Sequence, residues 1–524
     1  MRSLNIIKPN RYQDSVTLMQ VAVRLRDLDG IEDASLMMGT QPNKAMLAEA
    51  GLLTPESDAA GPNDLIIAMR GTDEAVEAAQ GQIEDLLRAE IPLSVERRAA
   101  EPHSMFAGLA ALPDANLVLI STPGIYAAAE ARKALLQGRH VMIFSDNVSL
   151  EDEHALKTLA TERGLLLMGP DCGTAIIGGV PLGFANAVRR GGIGVVGASG
   201  TGMQEITSLV SRLGGGISHA IGTGSRDLSA RIRGEMTVAG VRALLNDTST
   251  NVIVIVSKPP HPDAAERVLT EVSHADKPVV VAFLGMDVES LQMDEPPPHL
   301  AWAATLEEAA RRAVELEVGA APDVAESGTG HIDGLIEQLA PTQQYVRGLF
   351  SGGTFCYEAM LVMRRTLGGI YSNTPLSAEL ALESAHHSRG HTCLDLGSDE
   401  FTVGRPHPMI DLSARAQRIM QEAADTEVAV ILLDVVLGYG AHSDPAGVLS
   451  GVIEEARERA ASDGRTLAVV ASICGTDGDP QGLEGQRRAL SEAGVVLAPS
   501  NAAAARLAAD IASRVKVAQP AENR

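Results

Sequence analysis

Residues 194–202 read Gly-Val-Val-Gly-Ala-Ser-Gly-Thr-Gly, and this segment decides how the chain is predicted to fold. Its valines end a short apolar run that is typical of a buried parallel strand. Glycines and hydroxyl residues come next, and a pattern of an amphipathic helix follows over residues 203–213. A strand that turns through glycine into a helix directs backbone N–H groups to a place where a phosphate group can bind. The segment therefore predicts an α/β domain with an anion-binding turn.

The same pattern recurs along most of the chain. Short apolar runs alternate with segments rich in alanine, glutamate and arginine that have helical spacing, so the runs are predicted to be buried parallel strands joined by helices. The predicted fold class is α/β, with several Rossmann- or flavodoxin-like parallel-sheet domains. The runs cover residues 116–121, 140–145, 164–168, 193–196, 252–256, 278–284, 428–436, 467–472 and 495–498.

Changes in pattern and composition predict the domain boundaries. Residues 1–110 fit a small α+β domain of ferredoxin-like or related type, since helical and strand patterns follow one another there at short intervals. Residues 318–343 contain a stretch rich in glycine, alanine, proline and serine and are predicted to be a linker. The parallel-sheet domains are then predicted at residues 111–187, 188–317 and 344–524.

Composition excludes several classes of function. The chain has 43 Lys and Arg against 67 Asp and Glu, and the formal net charge of -24 opposes non-specific binding to nucleic acid or an anionic membrane. Aromatic residues make up only 3% of the chain, too few for base-stacking platforms. No apolar run approaches the roughly 20 residues of a membrane span, and charged residues interrupt the start of the chain where a secretory signal is apolar. A cytoplasmic protein with a small-molecule substrate is predicted.

No metal site is predicted. Cys172 lies in a small-residue turn without an identifiable base partner, so a buried, non-catalytic thiol is favoured over a nucleophile. The His386, His387 and His391 group lacks the i, i+4 spacing with a carboxylate that is typical of catalytic zinc. Zinc or redox-pair spacing is also absent among the four cysteines, Cys172, Cys356, Cys393 and Cys474.

Two turns are predicted to bind an anion. In the first, hydroxyls and backbone amides would come from Ser199, Gly200, Thr201 and Gly202. The second joins another apolar strand to a helical segment and would contribute Gly352, Gly353 and Thr354. The alternative for each turn is purely structural, because a tight connection between strand and helix needs glycine for steric reasons.

Three further positions are candidates for binding a charged ligand or for transferring a proton. Arg226 follows Gly224 and Ser225 in a flexible loop, and its guanidinium could hold phosphate or carboxylate; the alternative is a surface pair with Asp227. His442 lies in the loop after the strongest apolar run, where a proton-transfer role competes with that of a solvated histidine. Arg405 is a second candidate for binding a carboxylate, with a similar alternative.

The chain resembles the succinyl-CoA synthetase superfamily. Residues 116–172, with Met-Gly-Pro-Asp-Cys at 168–172, resemble the second part of that family's CoA-binding domain. Residues 194–205 and 222–227 resemble the first ligase domain of its α subunit. Residues 345–515, with Cys-Leu-Asp-Leu-Gly at 393–397, resemble the ligase domain of its β subunit. The α-like plus β-like fusion without an ATP-grasp module resembles the FdrA family.

This resemblance implies a function. An FdrA-like protein is expected to be a subunit of an oxamate carbamoyltransferase in allantoin-type purine breakdown, interconverting oxalurate and phosphate with oxamate and carbamoyl phosphate. Companion subunits and a hetero- or homo-oligomer are implied. The alternatives are an acyl-CoA synthetase or CoA-ligase subunit that binds CoA, and a non-catalytic regulatory subunit. Where a phosphohistidine would follow residues 278–284, the chain has no histidine before His299, and Lys258 stands near the position of the family's supporting glutamate.

Overall fold

The computed structural model describes residues 2–11, 13, 15–88, 102–287, 297–321, 332–402 and 405–515. The chain divides into two compact units. The first contains residues 1–115 and 399–411, and the second contains residues 116–398 and 412–524. The predicted α/β class, with a small α+β domain preceding parallel-sheet domains, is confirmed.

The first unit is built on an antiparallel sheet of order β1-β3-β2. One sheet face packs on α1 and α4 through a core that includes Val21, Leu65 and Val76, and the other carries a smaller cluster around Leu47 and Ile66. The sequence did not predict β1. The elements are β1 (Arg2–Lys8), α1 (Ser15–Arg26), β2 (Ile31–Met38), α2 (Gln41–Glu49), α3 (Pro55–Asp58), β3 (Leu65–Gly71), α4 (Asp73–Arg88) and α5 (Met105–Ala111).

The second unit begins with a small parallel sheet of order β4-β5-β6. Its strands are short, and Ile120, Val141 and Leu167 are almost fully buried. Right-handed helical connections join successive parallel strands in such a sheet. The elements are β4 (Leu117–Ile120), α6 (Gly124–Leu136), β5 (His140–Ile143), α7 (Leu150–Glu162) and β6 (Leu167–Met168).

A seven-stranded sheet of order β13-β12-β11-β9-β10-β7-β8 follows. The five strands from β13 to β10 are parallel, whereas the β7–β8 hairpin adds antiparallel at one edge. The sequence did not predict the hairpin. The elements are β7 (Thr174–Ile177), β8 (Val180–Gly183), β9 (Arg190–Gly197), α8 (Gly200–Arg212), β10 (Ile217–Gly222), α9 (Glu235–Asn246), β11 (Val252–Ser257), α10 (Pro262–Ser273), β12 (Val279–Phe283), β13 (Leu300–Trp302) and α11 (Leu306–Val318).

The last sheet has six parallel strands in the order β15-β16-β14-β17-β18-β19. Part of the predicted linker, residues 322–331, lies outside the described residues, whereas α12 occupies its second half. Helix α14 belongs to the first unit. The elements are α12 (Ile332–Gln338), β14 (Tyr345–Phe350), α13 (Gly353–Leu367), β15 (Tyr371–Ser372), β16 (Thr392–Asp395), α14 (Asp399–Thr402), α15 (Ser413–Ala423), β17 (Val428–Val436), α16 (Pro445–Ser462), β18 (Ala468–Cys474), α17 (Leu483–Glu492), β19 (Val496–Ala498) and α18 (Asn501–Arg514).

Helix α8 differs from its predicted amphipathic character, because every residue from Gly202 to Ser211 is buried. Polar residues of this helix pack against the six-stranded sheet: Ser208 Oγ lies 3.8 Å from Cys474 Sγ, and Arg212 donates to the carbonyl of Ile473 at 3.5 Å. Its small hydroxyl side chains permit this close packing. Helix α8 therefore lies between the two large sheets and brings their carboxyl edges together.

Candidate functional site

Helices α8 and α13 begin in contact with each other. Ser199 caps α8 by accepting a hydrogen bond from the Gly202 amide at 3.0 Å, and its Oγ lies 2.6 Å from Oγ1 of Thr354 in the first turn of α13. A Cβ on Gly352 would come within 2.8 Å of the Thr201 methyl group. A Cβ on Gly202 would lie 2.5 Å from Ser199 Oγ. Glycine at these two positions thus permits the helix starts to approach closely.

The first turns of the two helices leave backbone donors unused. The N–H groups of Gly200 and Thr201 in α8, and of Gly353, Thr354 and Phe355 in α13, hydrogen-bond to none of the described residues. These donors begin helices, whose dipoles place partial positive charge at the same ends. We call the set of five amides the paired N-termini. Two positive helix ends in contact repel each other, and negative charge beside them offsets that repulsion.

Lys258 adds a full positive charge beside the paired N-termini. It follows β11 directly, and its Nζ lies 3.2 Å from the position that a Cβ on Gly353 would occupy. Its ammonium forms no ion pair or hydrogen bond with any residue that the structure describes. The carboxylate of Asp395 also lies near this position, with Oδ2 2.5 Å from where a Cβ on Gly353 would be. One Asp395 oxygen, Oδ1, accepts a hydrogen bond from the Gly397 amide at 3.0 Å.

A buried ion pair fixes the turn that leads into α13. Asp434 on β17 accepts hydrogen bonds from the Ser351 amide at 2.9 Å, the Ser351 hydroxyl at 2.7 Å and the Gly352 amide at 3.0 Å. Arg415 on α15 donates to Asp434 at 2.7 Å, and both side chains are 1% exposed. Burial lowers the pKa of Arg415, and Asp434 opposes that effect. The Gly352 amide, predicted to bind a ligand, is therefore already used within the protein.

Arg226 also has partners of its own. Its guanidinium pairs with Glu153 at 2.8 Å and donates to the Val148 carbonyl at 2.7 Å, rather than forming the predicted alternative pair with Asp227. Asp227 instead accepts from Lys157 at 2.9 Å, and Lys157 also donates to Glu153 at 2.8 Å. These contacts join α7 to the loop after β10. The carboxylate-binding role of Arg226 remains a prediction.

The two residues that precede Arg226 differ in their surroundings: Gly224 is closely packed, whereas Ser225 is exposed. Gly224 has a φ of 86°, and a Cβ there would come within 2.2 Å of the Pro170 carbonyl oxygen, so glycine is required by close approach. Ser225 is exposed. Sheet order places this loop beside the β9–α8 turn, since Gly222 and Gly197 are register partners. Close packing thus explains why residue 224 is glycine, and the ligand-binding role of Ser225 stays a prediction.

The other two predicted site residues lie in loops. His442 is part-exposed in the loop after β17, where its Nδ1 accepts a hydrogen bond from the Asp444 amide at 3.0 Å. Arg405 is exposed and belongs to the first unit. Their proposed roles stay predictions. The sequence did not single out Lys258 as a site candidate, although its place directly after a buried strand was a usable signal.

The thiols and histidines are placed as structural residues. Burial raises the pKa of Cys172 to about 12, and all four cysteines are buried and free. His391 accepts a hydrogen bond from the Val346 amide at 3.2 Å, and burial lowers its pKa to about 4. The ring of His299 lies 2.9 Å from the Val272 carbonyl. Among the described residues, no group of three or more His, Cys, Asp or Glu side chains is arranged to hold a metal ion.

Family comparisons define the class of protein. The CoA-ligase family matches residues 349–511, which include the end of β14, all of α13 and the other five strands of the six-stranded sheet. The CoA-binding domain family matches residues 189–285. That match covers the β9–α8 turn and Lys258, and it lies later in the chain than residues 111–187, for which a CoA-binding-like domain was predicted. These two parts of the chain are similar to domains of a succinyl-CoA synthetase-like family.

Individual relatives refine this class. The protein YahF of Escherichia coli K12 is 46% identical over 504 residues, covering 95% of this chain and 96% of YahF. The chain therefore belongs to the YahF family. The succinate–CoA ligase [ADP-forming] subunit alpha 2 of Archaeoglobus fulgidus is 30% identical over 178 residues, covering 33% of this chain and 60% of that subunit. A dinucleotide-forming acetyl-coenzyme A synthetase of Ca. Korarchaeum cryptofilum aligns with a TM-score of 0.31 at 13% identity, over 76% of this chain and 83% of that one.

The first unit matches a family described as the heavy metal-associated domain of AllF, over residues 1–102. Those residues contain neither cysteine nor histidine, because His103 and Cys172 are the first of each in the chain. Thiolate, thioether and imidazole are the ligands that bind soft and borderline metals. Methionine is the one of these residue types in residues 1–102, so a metal site built on thiolate or imidazole does not fit there. Across the described ranges, no helix has the length and apolar composition needed to cross a membrane.

Proposed function

We propose that this chain is an acyl-transfer subunit of the CoA-ligase class that binds the phosphate group of an acyl phosphate at the paired N-termini. One observation supports this above all: α8 and α13 begin in contact, with Ser199 and Thr354 2.6 Å apart, and their unused amides lie beside Lys258. Backbone N–H groups at helix N-termini suit the oxygens of phosphate. Negative charge at the contact offsets the two helix dipoles; Asp434 and Asp395 supply part of it, and a bound phosphate would add to it.

This arrangement would also assist the chemistry. When an acyl phosphate transfers its acyl group, the bond between the acyl carbon and a phosphate oxygen breaks, and negative charge grows on the departing phosphate. Fixed amides and the Lys258 ammonium would stabilise that charge without rearranging. Gly200, Thr201 and Gly353 are partly exposed, so a small ligand can reach their amides. CoA, as the acceptor of the acyl group, is part of the proposal that the CoA-binding and CoA-ligase matches support.

Carbamoyl transfer is the second candidate. Residues 285–298 follow β12 and contain no histidine, so this segment offers no phosphohistidine in the sequence. Lys258 supplies a fixed charge that holds phosphate without a covalent phosphoenzyme. In oxamate carbamoyl transfer the donor would be carbamoyl phosphate and the acceptor the amide nitrogen of oxamate, with companion subunits in the complex. Formation of oxalurate from carbamoyl phosphate and oxamate would favour this candidate, and acyl-CoA formation would favour the CoA ligase.

Substitution of Lys258 tests the anion site. Lys258→Gln should weaken binding of inorganic phosphate roughly 10- to 100-fold, because a hydrogen bond to a charged group is worth about 1.5–3 kcal/mol. Lys258→Arg keeps the charge and should bind within a few-fold of the wild type. Isothermal titration calorimetry at low ionic strength measures both constants. Equal affinity in the wild type and Lys258→Gln would remove Lys258 from the site.

A further inference from the structure

One side chain from each of three helices meets behind the paired N-termini. The backbone N–H of Asn501 at the start of α18 donates to the Glu205 side chain of α8 at 3.0 Å. The Asn501 side chain donates to Glu358 of α13 at 2.8 Å and to the Phe355 carbonyl at 3.0 Å. Phe355 also carries one of the unused amides. We call Glu205, Asn501 and Glu358 the carboxyl cluster; it ties the first turn of α13 to α8.

The carboxyl cluster is buried and incompletely satisfied. Glu205 is 2% exposed, and Glu358 and Asn501 are each 1% exposed. Asn501 Oδ1 has no hydrogen-bond donor among the described residues. Two ionised carboxylates here would be desolvated like charges beside an acceptor that lacks a donor. A single proton held by the cluster removes one charge and adds one donor.

The surroundings offer little compensating positive charge. Arg212 on α8 favours the ionised form of Glu205, whereas Glu307 at the start of α11 opposes it. Glu307 is itself paired with Arg506 at 2.6 Å, and Cys474 on β18 hydrogen-bonds to Glu205. Burial is the largest cause of the raised pKa of Glu205 and of Glu358, each to about 7.

We propose that Glu205, Asn501 and Glu358 are positioning residues that hold the paired N-termini in register through one shared proton, so that anion binding is coupled to proton uptake. The inference rests on the anion site proposed above. Glu205 follows Gly200 by five residues, which places it about 7.5 Å further along the helix axis. An anion at the paired N-termini would repel the buried carboxylates and favour their protonation. Coupling is reciprocal, so protonation must strengthen anion binding by the same factor.

Sulfate is the probe that isolates this coupling, because it stays doubly charged across the pH range while phosphate titrates near neutrality. Calorimetric titration of the full chain should give sulfate affinity roughly tenfold weaker at pH 8 than at pH 6, from Coulomb repulsion across the intervening protein. Titrations at pH 7 in two buffers of different ionisation enthalpy should show uptake of a fraction of a proton per sulfate. Glu205→Gln and Glu358→Gln keep the shape of the cluster and should each reduce both effects. Glu307→Gln, just outside the cluster, is the matched control and should leave most of the coupling intact.

The possible outcomes distinguish a failure of the proton coupling from a failure of the anion site. Sulfate that binds the wild type equally at pH 6 and pH 8, without proton uptake, overturns the coupling while leaving the anion site intact. Sulfate that binds at no pH contradicts the anion site and, with it, the coupling. In that case the shared proton is still tested by stability: both pKa values rise from 4.5 to about 7 on folding. The free energy of unfolding should therefore fall as the pH rises from 4.5 to about 7, because the unfolded chain loses these protons first. Glu205→Gln should make that fall less steep. An identical slope in the variant overturns the shared proton.

Discussion

Asp434→Ala is expected to lower the free energy of unfolding by about 3–5 kcal/mol, because it leaves a buried Arg415 without its counter-charge. Asp434 also accepts three hydrogen bonds from Ser351 and Gly352, the residues that enter α13. Their loss frees the turn that sets the start of the helix. We therefore expect the variant, where it folds, to lose phosphate binding as well. Urea unfolding followed by circular dichroism measures the first effect, and calorimetry measures the second.

Asp425→Ala is the matched control for that experiment. Asp425 pairs with the buried Arg347 at 2.8 Å, but its own side chain is 32% exposed and Glu422 also holds Arg347. The control should cost no more than about 1 kcal/mol, because Asp425 is partly exposed and Arg347 keeps Glu422 as its counter-charge. A loss for Asp434→Ala as small as that of the control would show that the buried pair does not fix the α13 turn.

Lys157→Met should also destabilise the protein by about 3–5 kcal/mol, since it leaves two buried carboxylates facing each other. Lys157 is fully buried and donates to Glu153, Asp227 and the Thr223 carbonyl, at 2.8 to 2.9 Å. Methionine fills much of the same volume, so the loss reports the missing charge. The same urea titration measures it.

Lys133→Met on the neighbouring helix α6 provides the comparison. Lys133 is exposed and pairs with Glu130 at 2.6 Å across one helical turn. Its replacement should change the free energy of unfolding by less than about 0.5 kcal/mol. If both lysines give the same small change, Lys157 does not join α7 to the β10 loop in the way its contacts indicate.

Local sequence patterns were sufficient for most of the second unit. The runs at residues 252–256 and 428–436 became β11 and β17, because parallel strands buried on both faces are continuously apolar. The β7–β8 hairpin was missed although Gly178 and Gly179 separate its two strands, which is a recognised turn signal. Helix α8 was predicted to be amphipathic, but its polar residues Gln204, Glu205 and Ser208 are buried by tertiary contacts that no local pattern encodes.

The candidate site could be predicted in part. Glycine and hydroxyl spacing located the turns that hold Ser199 and Gly353, since a helix start after a strand is a local property. The contact between Ser199 and Thr354 joins residues 155 positions apart, and no periodicity along the chain encodes such a contact. The partners of Arg226 could not be predicted for the same reason, since Glu153 lies on a different helix. Sequence patterns thus located the donors but not the groups that already occupy them.

Removal of one backbone donor tests the central claim most directly. Gly200 is the first residue of α8, a position where proline keeps the helix but lacks the N–H group. Ser199 precedes it with φ -149° and ψ 111°, an extended conformation that proline accepts at the preceding residue. Gly200→Ala is the matched control, because it introduces the same Cβ, 3.3 Å from Thr174 Oγ1, and keeps the donor.

The measurement is the dissociation constant of inorganic phosphate for the wild type, Gly200→Pro and Gly200→Ala, determined by calorimetry on proteins with matched melting temperatures. We predict that Gly200→Pro binds phosphate roughly 10- to 100-fold more weakly, since one charge-assisted hydrogen bond is lost, while Gly200→Ala stays within about threefold of the wild type. Phosphate affinity that is the same in all three proteins would contradict binding at the paired N-termini.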